Sequence, residues 1–158
     1  MFDAAILVDM QKDFVCDLRR GDLERIVPNQ LYVIKRCNEM KIPIIVLEYF
    51  DFGKTIRRLR RKIVKNKKHT FILKYHDSGF INTELNETLV SLNAKCIFIM
   101  GINAAFCVKD TARDAVNYGY EIITSADVIS GMPDHPRDDN IRWYRRNGTV
   151  LKRIQEIL

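Results

Sequence analysis

Three side chains that can do chemistry together close three of the apolar runs in this sequence. Asp9 follows Ile6-Leu7-Val8, and Lys74 follows Phe71-Ile72-Leu73. Cys107 ends the turn Gly101-Ile102-Asn103-Ala104-Ala105-Phe106-Cys107, which follows Ile97-Phe98-Ile99-Met100. If those runs are strands of one parallel sheet, the three residues converge at its C-terminal edge, where open α/β sheets bind ligands. The chemistry would be that of a nucleophilic thiol. Cys107 stands where a helix begins, so the helix dipole and a nearby lysine both favour its reactive thiolate form. Each residue also has a plainer reading. A cysteine at a helix start is commonly a small buried hydrophobe, an aspartate after a strand a turn cap, and a lysine a solvated strand end.

The elements that must position them are legible as an alternation. Short apolar runs at 4–8, 43–47, 71–73, 96–100, 122–123 and 149–150 alternate with segments of helical period. The longer runs are almost unbroken, as strands buried on both faces of a parallel sheet are. Pro28 suits a first helical turn, with Val27, Leu31 and Ile34 on the inward face. Thr83 can cap a helix bearing Leu85, Leu89 and Leu92 on one side. Val108, Ala112, Ala115 and Val116 recur at helical spacing up to Gly119, a natural stop. Two last helices are expected over 138–146 and 151–158. Such alternation implies right-handed crossovers and an α/β fold: a three-layer α/β/α sandwich on a mostly parallel, Rossmann-like sheet. No repeat or linker divides it, so one domain over residues 1–158 is expected.

Composition excludes several classes. The 158 residues are 47% hydrophobic and 29% charged, which suits a folded globular chain and not a disordered or fibrous one. No apolar run approaches the roughly 20 residues that span a bilayer. The opening Met1-Phe2-Asp3 has no basic region of the kind that starts a signal peptide. Cys16, Cys37, Cys96 and Cys107 form no C-x-x-C pair, so reduced thiols in the cytoplasm are expected rather than zinc or disulfides. The three histidines have no ligand spacing. The net charge of +6 is local: nine basic residues and no acid fall within 54–68, which leaves −3 for the rest of the chain.

Four stretches give the sequence a family likeness. Leu7-Val8-Asp9-Met10-Gln11-Lys12-Asp13-Phe14 is similar to an opening of the form hhD-x-Q-x-D-F. Lys74-Tyr75-His76-Asp77-Ser78-Gly79-Phe80 looks like K-x-x-x-S-A/G-F. Residues 101–120 match G-h-x-x-x-x-C-V-x-x-T-A-x-D-A-x-x-x-G-Y at Gly101, Ile102, Cys107, Val108, Thr111, Ala112, Asp114, Ala115, Gly119 and Tyr120. A weaker fourth stretch, an acid with small residues, lies at 127–131. In this order they resemble the isochorismatase-like cysteine hydrolases, a group that includes nicotinamidases, carbamoylsarcosine amidases and ureidoacrylate amidohydrolases. The third stretch is highly specific, and the likeness covers nearly the whole chain.

Residue by residue, the resemblance implies Cys107 as nucleophile, Asp9 as general base and Lys74 as the cation holding both. It implies an oxyanion hole from the backbone N–H groups of Asn103 and Cys107, with a cis peptide between Ile102 and Asn103. Phe14 and Phe106 are candidates for the substrate pocket. Gln11 and Asp13 are expected to hold backbone, Cys37 and Cys96 to be core, Cys16 to be incidental, and Trp143 and the tyrosines to be packing. Thiolate attack on an amide would give a tetrahedral oxyanion and then a thioester. Isochorismatases proper cleave an enol ether without a nucleophilic cysteine, so Cys107 points to the amidase branch.

Two departures shape the expectation. Nicotinamidases carry a metal-binding Asp-x-His after the second strand, whereas residues 49–73 hold only His69. No metal and no cofactor is expected. The basic stretch occupies that segment instead, with Ile56, Leu59, Ile63 and Val64 at helical spacing. It reads as the solvated face of an amphipathic helix or a contact within a homo-oligomer, or as a surface that attracts an anion. The expected partners are a small-molecule amide, an anionic one included, and further copies of the chain in a homo-oligomer, with nucleic acid and membrane disfavoured. The alternative is a non-catalytic binding or scaffold protein that works through the basic helix 54–68.

Overall fold

The computed structural model describes residues 1–157. Its strands are β1 (Ala4–Val8), β2 (Ile44–Tyr49), β3 (His69–Lys74), β4 (Cys96–Ile102), β5 (Glu121–Ser125), β6 (Ile129–Ser130) and β7 (Thr149–Leu151). The helices are α1 (Lys12–Val15), α2 (Arg20–Met40), α3 (Arg57–Ile63), α4 (Leu85–Ser91), α5 (Cys107–Asn117) and α6 (Arg137–Asn147). The named strands all pair in parallel, in the order β3-β2-β1-β4-β5-β7, with β6 beside the end of β4. With helices covering both faces, this is the expected three-layer α/β/α sandwich on a Rossmann-like sheet.

Burial explains why β1 and β4 read so clearly. Every residue of β1 and the run Ile97–Met100 of β4 is fully buried, because helices cover both sides of the sheet centre. The strand order reverses between these two strands. The first half of the chain adds β2 and β3 on one side of β1; the second half adds β4, β5 and β7 on the other. A cleft opens at such a switch point, beyond the carboxyl ends of the strands. Asp9 and Gly101 stand at that place, with Val8 paired to Gly101 in register. Gly101 has φ +132°, and a Cβ there would lie 2.1 Å from the Val8 carbonyl oxygen. Only glycine lets the two strand ends approach so closely.

Several expected boundaries are corrected. Helix α2 begins at Arg20, so Pro28 lies inside it rather than in its first turn; the polar opening turns hid the true start. Thr83 precedes Glu84, which flanks the start of α4, yet its hydroxyl still accepts the Leu85 N–H at 3.2 Å. The helix expected over 151–158 is instead the last residue of β7 followed by a 3-10 turn at Ile154–Glu156; Leu158 lies outside the described residues. Within the basic stretch only Arg57–Ile63 is helical. Leu59 and Ile63 are buried there, but Val64 is half exposed.

Candidate active site

The site is built from the ends of β1, β3 and β4. Asp9 leaves β1 with φ 52°, a left-handed conformation that aspartate tolerates, and its N–H donates to the Leu47 carbonyl at 3.1 Å. That turn aims its carboxylate into the sheet end. There Lys74 Nζ donates to Asp9 Oδ2 at 3.0 Å, to the His76 carbonyl at 3.1 Å and to the Asp77 carbonyl at 3.2 Å. Its ammonium also lies 4.1 Å from the centre of the Tyr49 ring. The lysine side chain is 0% exposed and the aspartate 2%. Three acceptors and an aromatic face compensate the buried cation, as a charge withdrawn from water requires. Asp9 Oδ1 is buried and has no hydrogen-bond partner among the described residues.

The turn after β4 carries the thiol. The Ile102–Asn103 peptide is cis, as the resemblance implied. Asn103 Oδ1 accepts the Ala105 N–H at 3.0 Å, and the Asn103 carbonyl accepts the N–H groups of Phe106 and Val108. The Ala104 N–H donates to the Ser130 carbonyl at 2.9 Å, and the buried Tyr144 hydroxyl donates to the Ala104 carbonyl at 2.6 Å. Cys107 then opens α5, placed by a chain that is pinned at every step. Thr111, one turn on, donates to the Cys107 carbonyl at 2.7 Å and accepts the Gly79 N–H at 3.0 Å. It ties the cysteine's helix to the loop that follows Lys74.

A cavity of about 330 Å³ opens above these groups, near the small end of ligand-pocket volumes. Asp9, Asn103, Phe106 and Cys107 line it, with Phe14, Tyr49, Phe52, Asp77, Ile102 and Met132. Phe14 lies on the short helix α1, and its ring stacks on Phe52 at 4.1 Å and 10°. Gln11 fixes this wall: its Nε2 donates to the Tyr49 and Gly53 carbonyls at 2.8 Å each, and its Oε1 accepts the Tyr49 N–H at 2.6 Å. On the opposite side, Phe106 meets His135 edge to face.

The electrostatics differ from the expectation in one respect. Burial pushes the Asp9 carboxyl up to about 6, against the pull of Lys74 and the neighbouring Cys107 thiol. The Cys107 thiol is also raised, first by burial, then by the Asp9 charge; Lys74 lowers it and Asp77 raises it further. Helix dipole and lysine together led the sequence reading to a thiolate. Burial and two carboxylates outweigh them, so the resting cysteine is a thiol. Its Sγ donates to Asp77 Oδ1 at 3.7 Å.

All six residues singled out in the sequence therefore meet at one place: Asp9, Phe14, Asn103, Phe106 and Cys107 line the cavity, and Lys74 backs Asp9. Lys74 touches Asp9 directly but acts on Cys107 only through its field. Tyr49, Phe52, Asp77 and Met132 were missed as lining residues. Tyr49 was expected to be packing and instead roofs the lysine. Asp77 sat inside the Lys74–Phe80 stretch with no role given to it. Cys37 is buried as expected, Cys96 only half-buried, and Cys16 is exposed. Among the described residues no group of three His, Cys, Asp or Glu side chains is placed to hold a metal ion. His69 instead bonds the Asn66 carbonyl at 2.6 Å and packs on Phe71.

Comparison with known proteins follows the same lines. The model of the isochorismatase domain matches residues 3–155. Isochorismatase family protein 1A of Dictyostelium discoideum is 26% identical over 153 residues, covering 91% of this chain and 74% of that protein. N-carbamoylsarcosine amidase from Thermoplasma acidophilum superposes with a TM-score of 0.85 at 23% identity, over 99% of each chain. The nicotinamidase from Staphylococcus aureus gives 0.83 at 22%, over 94% of this chain and 96% of its own. At such identities the solved structures attest a shared fold.

Proposed function

Since this chain belongs to the isochorismatase family, we propose that it is a cysteine hydrolase that cleaves a C–N bond of a small non-peptide amide. The observation that carries this is the buried Asp9–Lys74 pair at 3.0 Å, with the unpartnered Asp9 Oδ1 at the wall of the cavity that Cys107 lines. Nothing in fold stability asks for such a group. A buried carboxylate oxygen without a donor is destabilising, and a mobile proton is a reason to keep it.

The reaction runs as general-base thiol chemistry. Substrate fills the cavity with its carbonyl carbon against Cys107 Sγ. As sulfur attacks, Asp9 Oδ1 takes the thiol proton, so no free thiolate need accumulate. The N–H groups of Asn103 and Cys107, neither of which donates to another group among the described residues, receive the oxyanion. Asp9 returns its proton to the leaving nitrogen, the C–N bond breaks, and the acyl group remains as a thioester on Cys107. Water, deprotonated by Asp9, displaces the sulfur, and the proton goes back to Cys107. The sum is amide plus water giving carboxylic acid plus ammonia or amine. Lys74 keeps its charge beside Asp9 throughout and favours the ionised base.

A screen of small primary amides and ureas for ammonia release, with Cys107→Ala as control, tests the proposal. Release that survives in the variant sinks it. The second reading, a binding protein working through the basic surface, has its own observation: Leu31, Arg58, Arg61, Lys62 and Lys65 line a separate groove of about 280 Å³. Under that reading the screen would stay silent with a folded protein.

A further inference from the structure

The cavity offers an incoming molecule aromatic faces and one uncompensated negative charge. Lys74 and Asp9 neutralise each other behind the wall. Asp77, itself exposed to solvent as well as lining the cavity, does not share in that balance: among the described residues its carboxylate has no cationic partner, and only its backbone carbonyl meets Lys74. Among the described residues no Lys, Arg or His lines the cavity. Nearby Arg113 is engaged with Asp110 at 3.0 Å and Asp114 at 3.8 Å. Of the nine cations of 54–68, Arg58, Arg61, Lys62 and Lys65 line the groove beside α2 and α3, and none of the nine is among the residues that line this cavity.

We propose that Asp77 selects the charge of the substrate: the cavity takes small, flat amides bearing a positive charge or a free N–H donor on the Asp77 side, and turns anionic amides away. This rests on the reading of Cys107 as nucleophile and names its substrate class. Asp77 Oδ1 reaches to 3.7 Å from Cys107 Sγ, so a substrate group bound to it lies beside the reacting carbonyl. The parallel Phe14–Phe52 pair and Phe106 supply flat apolar walls, and aromatic faces themselves favour cations. An anion brought here would meet a carboxylate, would find no counter-charge, and would give up its water for phenyl rings.

Charged thiol reagents read this field without any knowledge of the substrate. Methanethiosulfonates carrying a trimethylammonium, a methyl or a sulfonate group each form a mixed disulfide with the thiolate and expel methanesulfinate. Their rates at Cys107, followed by peptide mass spectrometry at pH 8, are compared with those at N-acetylcysteinamide. The expected ratio of cationic to anionic rate at Cys107 exceeds that of the free thiol by about tenfold. It should shrink as salt rises to about 0.5 M. In Asp77→Asn it should fall to within about threefold of the free thiol. A wild-type ratio no greater than the free thiol's overturns the proposal, as does one that Asp77→Asn leaves unchanged in a protein of native melting temperature. If that variant does not fold, the wild-type salt series decides, and a ratio indifferent to salt counts against it. Equal labelling by both charged reagents, with ammonia release intact, removes charge selection and leaves the hydrolase standing. A Cys107 closed even to the methyl reagent removes both.

Discussion

Lys74 is fully buried and touches the Asp9 carboxylate, two carbonyls and the face of Tyr49. The nine basic residues of 54–68 are the opposite case. All but Arg60 are exposed, and among the described residues Arg60 alone meets an acid, Glu48 at 3.4 Å, while lying over Phe71. One cation with four partners sits in the site; eight with none face water. The dense region sets the sign of the chain's net charge, yet charge in water is worth little to a fold. A single charge withdrawn from water commits everything around it. The difference teaches that partner number and burial, not charge count, mark where chemistry is placed.

The largest effect that sharpens the contrast is on turnover. Cys107→Ala removes the nucleophile while changing a small side chain at the cavity wall. We expect activity to fall by at least about 10⁴-fold, with the urea midpoint moved by no more than a small core truncation allows. Measuring both in one preparation separates chemistry from folding. A variant that keeps a tenth of the activity breaks the assignment.

Next in size is the loss of the buried cation. Lys74→Met leaves the buried Asp9 carboxyl without its cation, to be ionised alone or to take up a proton, which costs up to about 3–5 kcal/mol of stability. Denaturant unfolding of Lys74→Met and of the double variant with Asp9→Asn reads it directly, because removing the carboxylate too should restore much of the loss. If the two variants unfold alike, the pair is not what holds this end of the sheet.

A third test is the acid limb of the rate. Asp9 must be ionised to take the thiol proton, and burial has raised it to about 6. Activity should therefore climb as pH rises through about 6 and level off above. The sign for folding is the reverse. A carboxyl raised above its unfolded value binds its proton more tightly in the native state, so its contribution to stability falls as pH climbs from the ordinary carboxylate range to about 6. A folded Lys74 variant should move the rate limb upward, since the cation that favours the ionised form is gone.

How far the sequence revealed this site follows from the kind of force that places each residue. The buried strands and the 101–120 stretch were legible, since an unbroken apolar run and a motif of fixed spacing leave few choices. Asp9, Lys74 and Cys107 close those runs, so the strand ends carried them along. Tyr49 and Phe52 were not legible as cavity wall because side-chain amide bonds from Gln11 to backbone at Tyr49 and Gly53 hold that segment, and no periodicity reports such bonds. Asp77 stood in a recognised stretch, but its place beside Cys107 depends on Lys74 folding the loop back through the His76 and Asp77 carbonyls. The thiol's raised proton affinity was missed for the same reason: the lysine and the helix start could be counted, whereas burial and the second carboxylate belong to the assembled cavity.

The smallest expected effect belongs to the basic surface, and it is the one that most directly tests the contrast. Reversing Arg57, Arg58, Arg61 and Lys62 to glutamate alters the net charge by eight units while sparing Arg60, whose guanidinium holds Glu48 and covers Phe71. Exposed charges away from a structural feature change stability by about 0.5 kcal/mol or less each. Here like charges crowd one another, so some substitutions should help rather than harm. The active cavity shares no lining residue with the groove these cations border. Its steady-state rate on a neutral amide should therefore be unchanged by the reversal, and equally so at low salt and at about 0.5 M, where charges farther apart than a few ångströms are screened. A fall in kcat/KM for an anionic amide that appears only at low salt would mean that the surface steers substrate to the cavity after all. The two regions would then be one device, a long-range field feeding a short-range one, and the comparison would fail in an informative direction.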